Sequence, residues 1–383
     1  MDRKKHACLI YEFLSEQGGL EREIITHANF LKESGYEVTI LTCYLDKNIL
    51  KLLPFDNLKI ETLGKFNTGI ESLDMALCFL GLNNIKKYNP DFFLSYSYPS
   101  NFLIRNKKTK KVNYINHFPH FLYEENKTEW ASSTQGVKRK ISLVFNLFLG
   151  NFLKKLDRKL VHKNDLNFTN SEFTKKRMDS LYKINSIVSY PPLDKAFKPS
   201  KNNIKERFIF SSSRIIPDKK YELLIDSMKY MKNKLPLYLA GTVNENYKEK
   251  LIALANKNKV DIKFLGRLNT QEIIDYYTAA EVFAFPTPGE DFGLVPAESM
   301  ACGTPCVVWG DGAGPTEQVV DKVTGYHADP YKIEDFASKL DLVIDGKMKH
   351  KNKNKILKQA NKFFYGEIKK DFLKELKSNK IIS

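Results

Sequence analysis

Apolar and polar residues follow two recurring patterns along this chain. Short apolar runs bounded by glycine or polar residues are typical of buried strands, and apolar residues spaced three and four apart are typical of helices that cover a core. The two patterns alternate from end to end, which predicts an α/β fold with parallel sheets. The predicted strands span residues 7–13, 37–42, 58–63, 92–97, 112–118, 166–169 and 186–190, and then residues 208–213, 237–240, 261–265, 282–286, 305–309 and 325–328.

Helix ends are marked by residues that favour caps. Gly35 should end a helix, since glycine readily adopts the left-handed conformation found after a helix C-terminus. Asn269 and Glu272 have the spacing of a capping box at the start of another helix. The helices predicted from periodicity and caps span residues 21–34, 70–87, 172–182 and 270–280.

The strands fall into two groups, which predicts two doubly wound domains over residues 1–197 and 198–362. The polar tract 198–207 between them is typical of a linker. The tail, residues 363–383, is expected to form a helix with one apolar face. That face consists of Phe364, Ile368, Phe372 and Leu376.

Basic residues outnumber acidic ones, 61 Lys and Arg against 45 Asp and Glu, which gives a formal net charge of +16. A surplus of this size favours anionic partners such as nucleic acid, acidic lipid surfaces or phosphorylated substrates. Lysine used generally as a surface residue explains the same surplus, so both interpretations stay open. No short run combines clustered basic residues with regularly interleaved aromatic residues, so no nucleic-acid groove is expected.

The five cysteines are scattered and odd in number, which does not indicate a disulfide framework but a reducing compartment. Cys302 and Cys306 lie in an apolar passage and are expected to be buried. The first apolar run, residues 7–11, is too short for a signal peptide, and no run reaches the roughly 18–20 apolar residues that cross a bilayer. We therefore expect a cytoplasmic protein.

The stretch over residues 285–317, FPTPGEDFGLVPAESMACGTPCVVWGDGAGPTE, has the features of a ligand site. Pro296 favours the first helical position, so Glu298 should lie in the first turn of a helix and Glu290 on the loop before it. Unpaired backbone N–H groups and the positive end of the helix dipole would lie between the two carboxylates. This suits a ligand with hydroxyls at both ends and phosphates between them, because carboxylates accept from hydroxyls and helix N-termini bind anions. A sugar nucleotide has this layout.

Two cations and a glycine pair follow predicted strands at the edge where doubly wound sheets bind ligands. Arg214 and Lys219 come after the first strand of the second group and can neutralise a diphosphate, although surface ion pairs are the alternative. Gly18 and Gly19 come after the first strand of the chain but lack the spacing of the dinucleotide fingerprint, so a simple tight turn is the alternative.

In order and spacing, these motifs resemble retaining glycosyltransferase family 4. The resemblance covers nearly the whole chain, is most specific in the second domain, and implies the GT-B fold: two Rossmann-like domains facing a cleft, with a C-terminal helix that returns to the N-terminal domain. Lys220 departs from the family, which usually has glycine there; it could crowd the phosphate loop or add a third cation. The matching segments are Gly18-Gly19-Leu20-Glu21, Asn170-Ser171, Tyr190-Pro191-Pro192, Arg214 with Lys219, Gly266-Arg267, Glu290 with Glu298, Phe292-Gly293, Gly303-Thr304-Pro305 and Gly314-Pro315-x-Glu317.

The resemblance implies a role for each matching residue. Glu290 would hold hydroxyls of the transferred sugar, and Glu298 would accept both ribose hydroxyls. Arg214 and Lys219 would stabilise the charge on the diphosphate, and His117 would orient the sugar unless it is a structural histidine. The other donor contacts would come from Gly18, Gly19, Gly266, Arg267, Asp291, Phe292, Gly293, Leu294 and Val295.

The implied activity is transfer of a hexose, with retention, from a nucleotide sugar to a glycan or lipid-linked acceptor. Segments Tyr190-Pro191-Pro192 and His117-Phe118-Pro119 are most similar to mannosyltransferases of lipid-linked oligosaccharide or surface-glycan assembly. GDP-mannose is therefore the first expected donor and UDP-glucose the second. No covalent nucleophile and no acidic metal motif is evident, so we expect a metal-independent reaction without a cofactor.

Two rivals belong to other functional classes. A non-hydrolysing sugar-nucleotide epimerase shares the fold, but the Gly18-Gly19 loop and the paired glutamates fit transfer better. A catalytically silent basic binding module would not need Glu290, Arg214 and Lys219 together.

Residues 138–163 have apolar positions at helical spacing between basic flanks. This segment is either a helix on an anionic membrane surface or an ordinary helix with solvated lysines. The nearby aromatic residues, Phe118, Phe121, Tyr123 and Trp130, would receive an acceptor or fill the fold.

Overall fold

The computed structural model describes residues 4–15, 18–53, 55, 57–117, 120–123, 137–202 and 204–383. The chain divides into two compact units. Unit 1 consists of Met1–Asn170, Thr174–Ser189 and Lys369–Ser383, and unit 2 consists of Ser171–Phe173 and Tyr190–Ile368. The domain limits expected from the sequence, 1–197, 198–362 and 363–383, remain predictions.

Unit 1 contains a parallel sheet of seven strands in the order β5-β3-β1-β6-β7-β8-β9, and strands β2 and β4 form a separate pair. The strands are β1 His6–Ile10, β2 Phe13–Leu14, β3 Glu37–Thr42, β4 Tyr44–Leu45, β5 Lys59–Thr62, β6 Phe92–Tyr96, β7 Lys110–Ile115, β8 Leu166–Thr169 and β9 Ile187–Val188. The helices in this part of the chain are α1 Gly19–Lys32, α2 Ile49–Leu52, α3 Glu71–Phe79, α4 Ser97–Leu103, α5 His120–Tyr123, α6 Val137–His162 and α7 Glu172–Tyr182, with a 3₁₀ turn at Ile85–Lys87.

Unit 2 contains a parallel sheet of six strands in the order β12-β11-β10-β13-β14-β15. The strands are β10 Ile209–Ser212, β11 Leu237–Ala240, β12 Ile262–Gly266, β13 Val282–Phe285, β14 Cys306–Trp309 and β15 Gly325–Ala328. The helices that follow are α8 Tyr221–Met228, α9 Glu245–Asn258, α10 Thr270–Ala279, α11 Val295–Ala301, α12 Gly314–Gln318, α13 Ile333–Asp345, α14 Met348–Lys351, α15 Lys353–Ala360 and α16 Tyr365–Ser378, with 3₁₀ turns at Pro217–Lys219 and Asn361–Phe363.

Both sheets are doubly wound, because the strand order reverses once inside each of them. The reversal lies between β1 and β6 in unit 1 and between β10 and β13 in unit 2. The α/β class with two Rossmann-like units is therefore confirmed. In such sheets, ligands bind beside the carboxyl ends of the strands at the point of reversal, which we call the switch point.

Strand β13 shows why these strands are apolar throughout. Val282 and Ala284 belong to one core of unit 2, and Phe283 and Phe285 belong to the core on the opposite face of the sheet. Successive side chains of a strand point to opposite faces, so a sheet covered on both sides needs apolar residues at every position. This double burial fixes where the strand ends and where its polar loop begins.

Several local predictions are confirmed. Gly35 has a φ of +87°, and Asn269 and Glu272 form the capping box of α10. In the tail helix, Ile368, Phe372 and Leu376 are buried. All five cysteines are free and buried, Cys302 and Cys306 among them.

Two local predictions are wrong. The helix expected over residues 70–87 ends at Phe79, because Gly81 adopts a φ of +95° and the chain resumes only as the 3₁₀ turn Ile85–Lys87. The tract expected as a linker, residues 198–207, belongs to unit 2 and is tied to it by three hydrogen bonds. They join Ser200 N to Thr278 Oγ1 at 3.0 Å, Asn202 Nδ2 to Asp275 Oδ2 at 2.8 Å, and Arg207 Nε to Glu281 Oε1 at 2.8 Å.

Within the described part of the chain, no helix is both long enough and apolar enough to cross a membrane. Helix α6 covers the segment whose helical spacing was evident from the sequence, and its side chains are described from Gly150 onward. Asp157 in this helix is buried and accepts hydrogen bonds from the hydroxyls of Tyr123 and Tyr182. In the described half of helix α6, the polar residue Asp157 is therefore buried, whereas the apolar residue Phe152 is exposed.

Candidate functional site

Two loops of unit 2 meet at the switch point between β10 and β13. The first loop, residues 213–220, follows β10, and the second, residues 286–294, follows β13. Lys219 Nζ in the first loop lies 2.5 Å from Glu290 Oε2 in the second, with 18% and 21% of the two side chains exposed. The sequence singled out both residues as site candidates, and the structure joins them in one ion pair.

The first loop owes its path to a glycine on the neighbouring strand connection. Gly241 has a φ of +142°, and a Cβ atom there would lie 1.8 Å from the carbonyl oxygen of Ser213. Ile215 is buried, and its N–H donates to the carbonyl of Thr242 at 2.8 Å. With its neighbours held inward, Arg214 is left exposed, and it forms none of the ion pairs found among the described residues.

The first loop ends at Lys220, whose backbone adopts the left-handed conformation with φ of +52°. This residue joins the 3₁₀ turn Pro217–Lys219 to helix α8. A residue with a side chain is strained in this region by roughly 1–2 kcal/mol, which explains why glycine is favoured at such a joint.

The second loop is anchored along its length by hydrogen bonds to the backbone. The bonds join Trp309 Nε1 to Pro286 O at 2.7 Å, Gly289 N to Asp311 Oδ2 at 2.9 Å, Gly314 N to Glu290 O at 2.9 Å, and Gln318 Nε2 to Phe292 O at 2.7 Å and Gly293 O at 2.8 Å. Gln318 is fully buried and also accepts from Ala297 N at 2.9 Å. A loop held at so many points presents Glu290 in one backbone conformation.

Two glycines make room for this arrangement. Gly293 has a φ of +63°, and a Cβ there would lie 2.8 Å from Glu290 Cγ. A Cβ on Gly314 would lie 2.4 Å from both the carbonyl oxygen of Asp291 and the Cα of Phe292. Because these are contacts with backbone atoms, a side chain at residue 314 would displace the loop that carries Glu290.

Glu298 lies in the first turn of α11, as expected, although Pro296 occupies the second helical position and Val295 the first. Its Oε2 accepts a hydrogen bond from the Tyr277 hydroxyl at 2.9 Å, and that hydroxyl lies 2.7 Å from Ser212 Oγ at the end of β10. Burial raises the pKa of Tyr277 well above its ordinary value, and the nearby charge of Glu298 adds to this shift. The tyrosine therefore stays a hydrogen-bond donor that orients the Glu298 carboxylate.

The remaining residues predicted in unit 2 lie around the same edge of the sheet. Gly266 ends β12, and its carbonyl accepts from Gly241 N at 2.8 Å, while Arg267 beside it is exposed. Phe292 is buried, and its ring centroid lies 5.3 Å from that of Tyr190. The other three predicted positions are Asp291, Leu294 and Val295, all half-buried.

The three residues predicted in the first domain lie in unit 1. Gly18 precedes α1, and its N–H donates to Glu21 Oε2 at 3.1 Å; Gly19 is the first residue of that helix. His117 follows β7 and is exposed. Their contribution to a site remains a prediction, and Phe118, Pro119 and Trp130 lie outside the described residues.

Sequence reasoning missed the residues that support the site from behind. Gly241, Tyr277, Trp309, Asp311 and Gln318 hold the two loops or the Glu298 carboxylate in place. Only Gly241 carries a local signal, a glycine directly after a buried strand. The described residues hold no group of three or more His, Cys, Asp and Glu side chains placed to share a metal ion.

Residues 193–363 match the sequence profile of the family "Glycosyl transferases group 1". This part of the chain is a glycosyltransferase group 1 domain. It contains both loops, the Lys219–Glu290 ion pair and Glu298.

Curated relatives match this chain over parts of their length. The D-inositol 3-phosphate glycosyltransferase of Mycolicibacterium smegmatis is 35% identical over 97 residues, 25% of this chain and 22% of that protein. A GDP-mannose-dependent monoacylated phosphatidylinositol monomannoside mannosyltransferase of Corynebacterium glutamicum is 34% identical over 127 residues, 32% of its length. The uncharacterized glycosyltransferase YqgM of Bacillus subtilis is 28% identical over 54% of this chain and 57% of its own. The matches thus span from about a fifth to little more than half of these relatives.

Solved structures match the chain along its whole length. The complex of Anabaena Alr3699/HepE with UDP and glucose superposes with a TM-score of 0.73 at 17% identity, covering 98% of this chain and 100% of that one. Sucrose-phosphate synthase from Thermosynechococcus elongatus gives a TM-score of 0.73 at 15% identity, with 98% and 99% coverage. These likenesses confirm the predicted GT-B fold class.

Proposed function

We propose that this protein is a retaining glycosyltransferase that moves a hexose from a nucleotide sugar to a glycan or lipid-linked acceptor. The observation that carries the proposal is the Lys219–Glu290 ion pair at the switch point of the glycosyltransferase group 1 domain. A carboxylate and a cation meet there on two anchored loops, at the edge where doubly wound sheets bind ligands. Arg214 lies on the same loop as Lys219 and is exposed.

Each end of the donor has a chemical counterpart in unit 2. Arg214 and Lys219 bind the diphosphate, Glu290 accepts from hydroxyls of the sugar, and Glu298 accepts from the ribose hydroxyls. Gly266 and Arg267 flank the base. Backbone amides of Asp291, Phe292, Gly293, Leu294 and Val295 complete the donor contacts, and Gly18, Gly19 and His117 keep the roles that the family resemblance implies.

The reaction breaks the anomeric C–O bond, and its electron pair leaves with the nucleoside diphosphate. Positive charge develops on the sugar while negative charge grows on the diphosphate, where Arg214 and Lys219 stabilise it electrostatically. The acceptor oxygen forms the new bond on the face from which the diphosphate departs, and the hydroxyl proton passes to a departing phosphate oxygen. This accounts for retention without a covalent enzyme intermediate, a metal ion or a cofactor.

Mannose from GDP-mannose is the first proposed donor, because a relative is named as GDP-mannose-dependent and two serotype-specific mannosyltransferases of Escherichia coli are 32% identical over 110 residues. UDP-glucose is the second, because the HepE neighbour was solved with UDP and glucose. The base is the feature that separates the two.

A lipid-linked acceptor fits a peripheral position on the cytoplasmic face of an anionic membrane. Helix α3 supports this proposal, since Leu73 in the helix and Leu80 directly after it are exposed, as are Phe66, Ile70 and Leu82 in the flanking segments. Lys65, which precedes Phe66 in the chain, is exposed, and so is Lys51 in helix α2. Apolar side chains flanked by lysines suit the boundary of an anionic bilayer, and the basic helix α6 is a second candidate contact.

A panel of nucleotide sugars with thermal unfolding as readout tests the proposal. The true donor binds the native state and should raise the midpoint of unfolding with its concentration, by mass action. We expect GDP-mannose or UDP-glucose to shift the midpoint, while free mannose and glucose do not. No shift with any nucleotide sugar at millimolar concentration contradicts the proposed function.

A further inference from the structure

In the free protein, two opposite charges of the candidate donor site bind each other. Lys219 Nζ and Glu290 Oε2 are 2.5 Å apart, and about four-fifths of each side chain is buried. Among the hydrogen bonds of the described residues, each of these two charged groups has the other as its partner. Arg214, the other cation assigned to the diphosphate, is exposed, so a diphosphate meets one accessible cation and one that is already paired.

A nucleoside diphosphate that arrives alone must take Lys219 away from Glu290. The Glu290 carboxylate is then left largely buried, without its cation, close to the negative charge of the phosphates. Removing one partner of a largely buried ion pair is costly because the other charge stays uncompensated. An intact nucleotide sugar avoids this cost, because its sugar hydroxyls donate to Glu290 while its diphosphate takes Lys219.

The backbone on both sides of the pair is fixed, so the exchange requires only side-chain rotation. The N–H of Gly314 donates a hydrogen bond to the carbonyl oxygen of Glu290 at 2.9 Å, and the hydroxyl of Thr287 donates to the carbonyl oxygen of Lys219 at 3.4 Å. Gly293 leaves space for the Glu290 side chain at its Cγ. Both partners therefore remain within reach of each other before and after a ligand binds.

We propose that Glu290, through its ion pair with Lys219, is a specificity-determining residue that favours the intact nucleotide sugar over the nucleoside diphosphate product. This inference rests on the proposed function and deepens it. Once the sugar has left, Glu290 has lost its hydroxyl partners and competes with the diphosphate for Lys219. The same ion pair that admits the donor thus weakens retention of the product.

The test compares two ligands in each of three proteins by isothermal titration calorimetry. The ligands are UDP with UDP-glucose, or GDP with GDP-mannose, whichever pair binds the wild type; the proteins are the wild type, Glu290→Gln and Glu298→Gln. Glutamine keeps an oxygen for sugar hydroxyls but has no charge to hold Lys219. We expect Glu290→Gln to bind the nucleoside diphosphate about tenfold more tightly than the wild type, with no such gain for the nucleotide sugar.

Glu298→Gln is the matched control, because its carboxylate bonds to Tyr277 and faces the ribose, which both ligands share. It should weaken the binding of both ligands alike and leave the ratio of their affinities unchanged.

Equal or weaker binding of the diphosphate by a folded Glu290→Gln protein, compared with the wild type, overturns the inference and leaves Glu290 as a simple sugar contact. If that variant unfolds, Glu290→Ala replaces it, and the inference then requires this variant to bind the diphosphate more tightly than the wild type does. Binding of none of the four ligands by the wild type overturns the proposed function itself.

Discussion

Two glutamates in the two units show how position decides what a carboxylate can do. Glu290 of unit 2 lies on an anchored loop at the switch point, beside Lys219, with about a fifth of its side chain exposed. Glu23 of unit 1 lies inside helix α1, fully within the core, 3.5 Å from His27 and in a side-chain hydrogen bond with Tyr114. The first carboxylate is paired with a cation that a ligand can replace, whereas the ion pairs of the described residues give the second carboxylate no lysine or arginine.

Burial shifts the pKa values of Glu23 and His27 in opposite directions, and both shifts favour the uncharged form. Burial raises the pKa of Glu23 to about 8 and lowers the pKa of His27 to about 3, since both lose hydration in the charged form. The His27 ring stacks on Phe372 with centroids 4.5 Å apart, and its Nδ1 lies 3.1 Å from the Tyr96 hydroxyl. This cluster is neutral at pH 7, and through the His27–Phe372 contact it packs against the C-terminal helix.

The largest expected effect is a loss of turnover when the carboxylate of Glu290 at the switch point is removed. Glu290→Ala removes both the partner of Lys219 and the proposed sugar contact, so turnover should fall by about 10²–10³-fold while the unfolding midpoint stays near that of the wild type. The matched control is Glu281→Ala, which breaks the ion pair between Glu281 and Arg207 on the surface of the same unit. A variant with Glu290→Ala that keeps normal turnover removes Glu290 from the proposed mechanism.

The anchoring of the Glu290 loop is tested next. Gly314→Ala places a Cβ 2.4 Å from the backbone of Asp291 and Phe292, so we expect a loss of about 3 kcal/mol in the free energy of unfolding together with loss of donor binding. Gly366→Ala in helix α16 is the control, because nothing lies within 4 Å of its Cβ position. Denaturant titration measures both, and equal stability of the two variants contradicts the close approach.

Glu23→Gln tests the other half of the comparison through its pH dependence. The folded pKa of Glu23 is raised from its ordinary value of 4.5 to about 8, so the folded state binds more protons than the unfolded state between these pH values, and wild-type stability falls as pH rises through them. Glutamine removes this dependence. Relative to the wild type, the variant should gain roughly 3 kcal/mol between about pH 5 and about pH 7. Denaturant titrations at the two pH values measure the gain, and a difference that does not change with pH contradicts a neutral Glu23.

The smallest expected effect is at Lys220. Because its φ of +52° is strained for lysine, Lys220→Gly should raise the free energy of unfolding by about 0.5 kcal/mol, whereas Lys229→Gly, at a φ of −62°, should lower it by about 1 kcal/mol. Turnover of Lys220→Gly separates two interpretations of this residue. Unchanged turnover means that Lys220 only shapes the loop, and a clear loss means that it serves as a third cation.

Features that depend on residues close together in the sequence, such as strand positions and the places of candidate residues next to strands or helices, were predicted well. The strand pattern places all six strands of unit 2, because double burial leaves a continuous apolar signature such as that of β13. Arg214, Lys219, Glu290 and Glu298 were singled out by their place after strands or before a helix. Their positions in the fold agree with that reasoning, and their chemical roles remain proposals.

What the sequence did not reveal depends on contacts between distant positions. Lys219 and Glu290 are 71 residues apart, and no local pattern indicates that they bind each other. Gln318 holds the Glu290 loop from a helix 25 residues further on, where a buried glutamine has no periodicity to mark it. The helix expected over residues 70–87 failed for a related reason, since apolar periodicity continued past Gly81 although the backbone turns there.

Calorimetric titration of the donor into Lys219→Met, with the surface variant Lys229→Met of the same unit as the control, tests the central claim most directly. The claim is that the two switch-point loops of unit 2 bind the diphosphate of a nucleotide sugar, with Lys219 as a direct contact. It predicts that Lys219→Met raises the dissociation constant of the donor by about tenfold or more, while Lys229→Met leaves it within about twofold of the wild type. Equal dissociation constants for wild type and Lys219→Met, with both proteins folded, would contradict it.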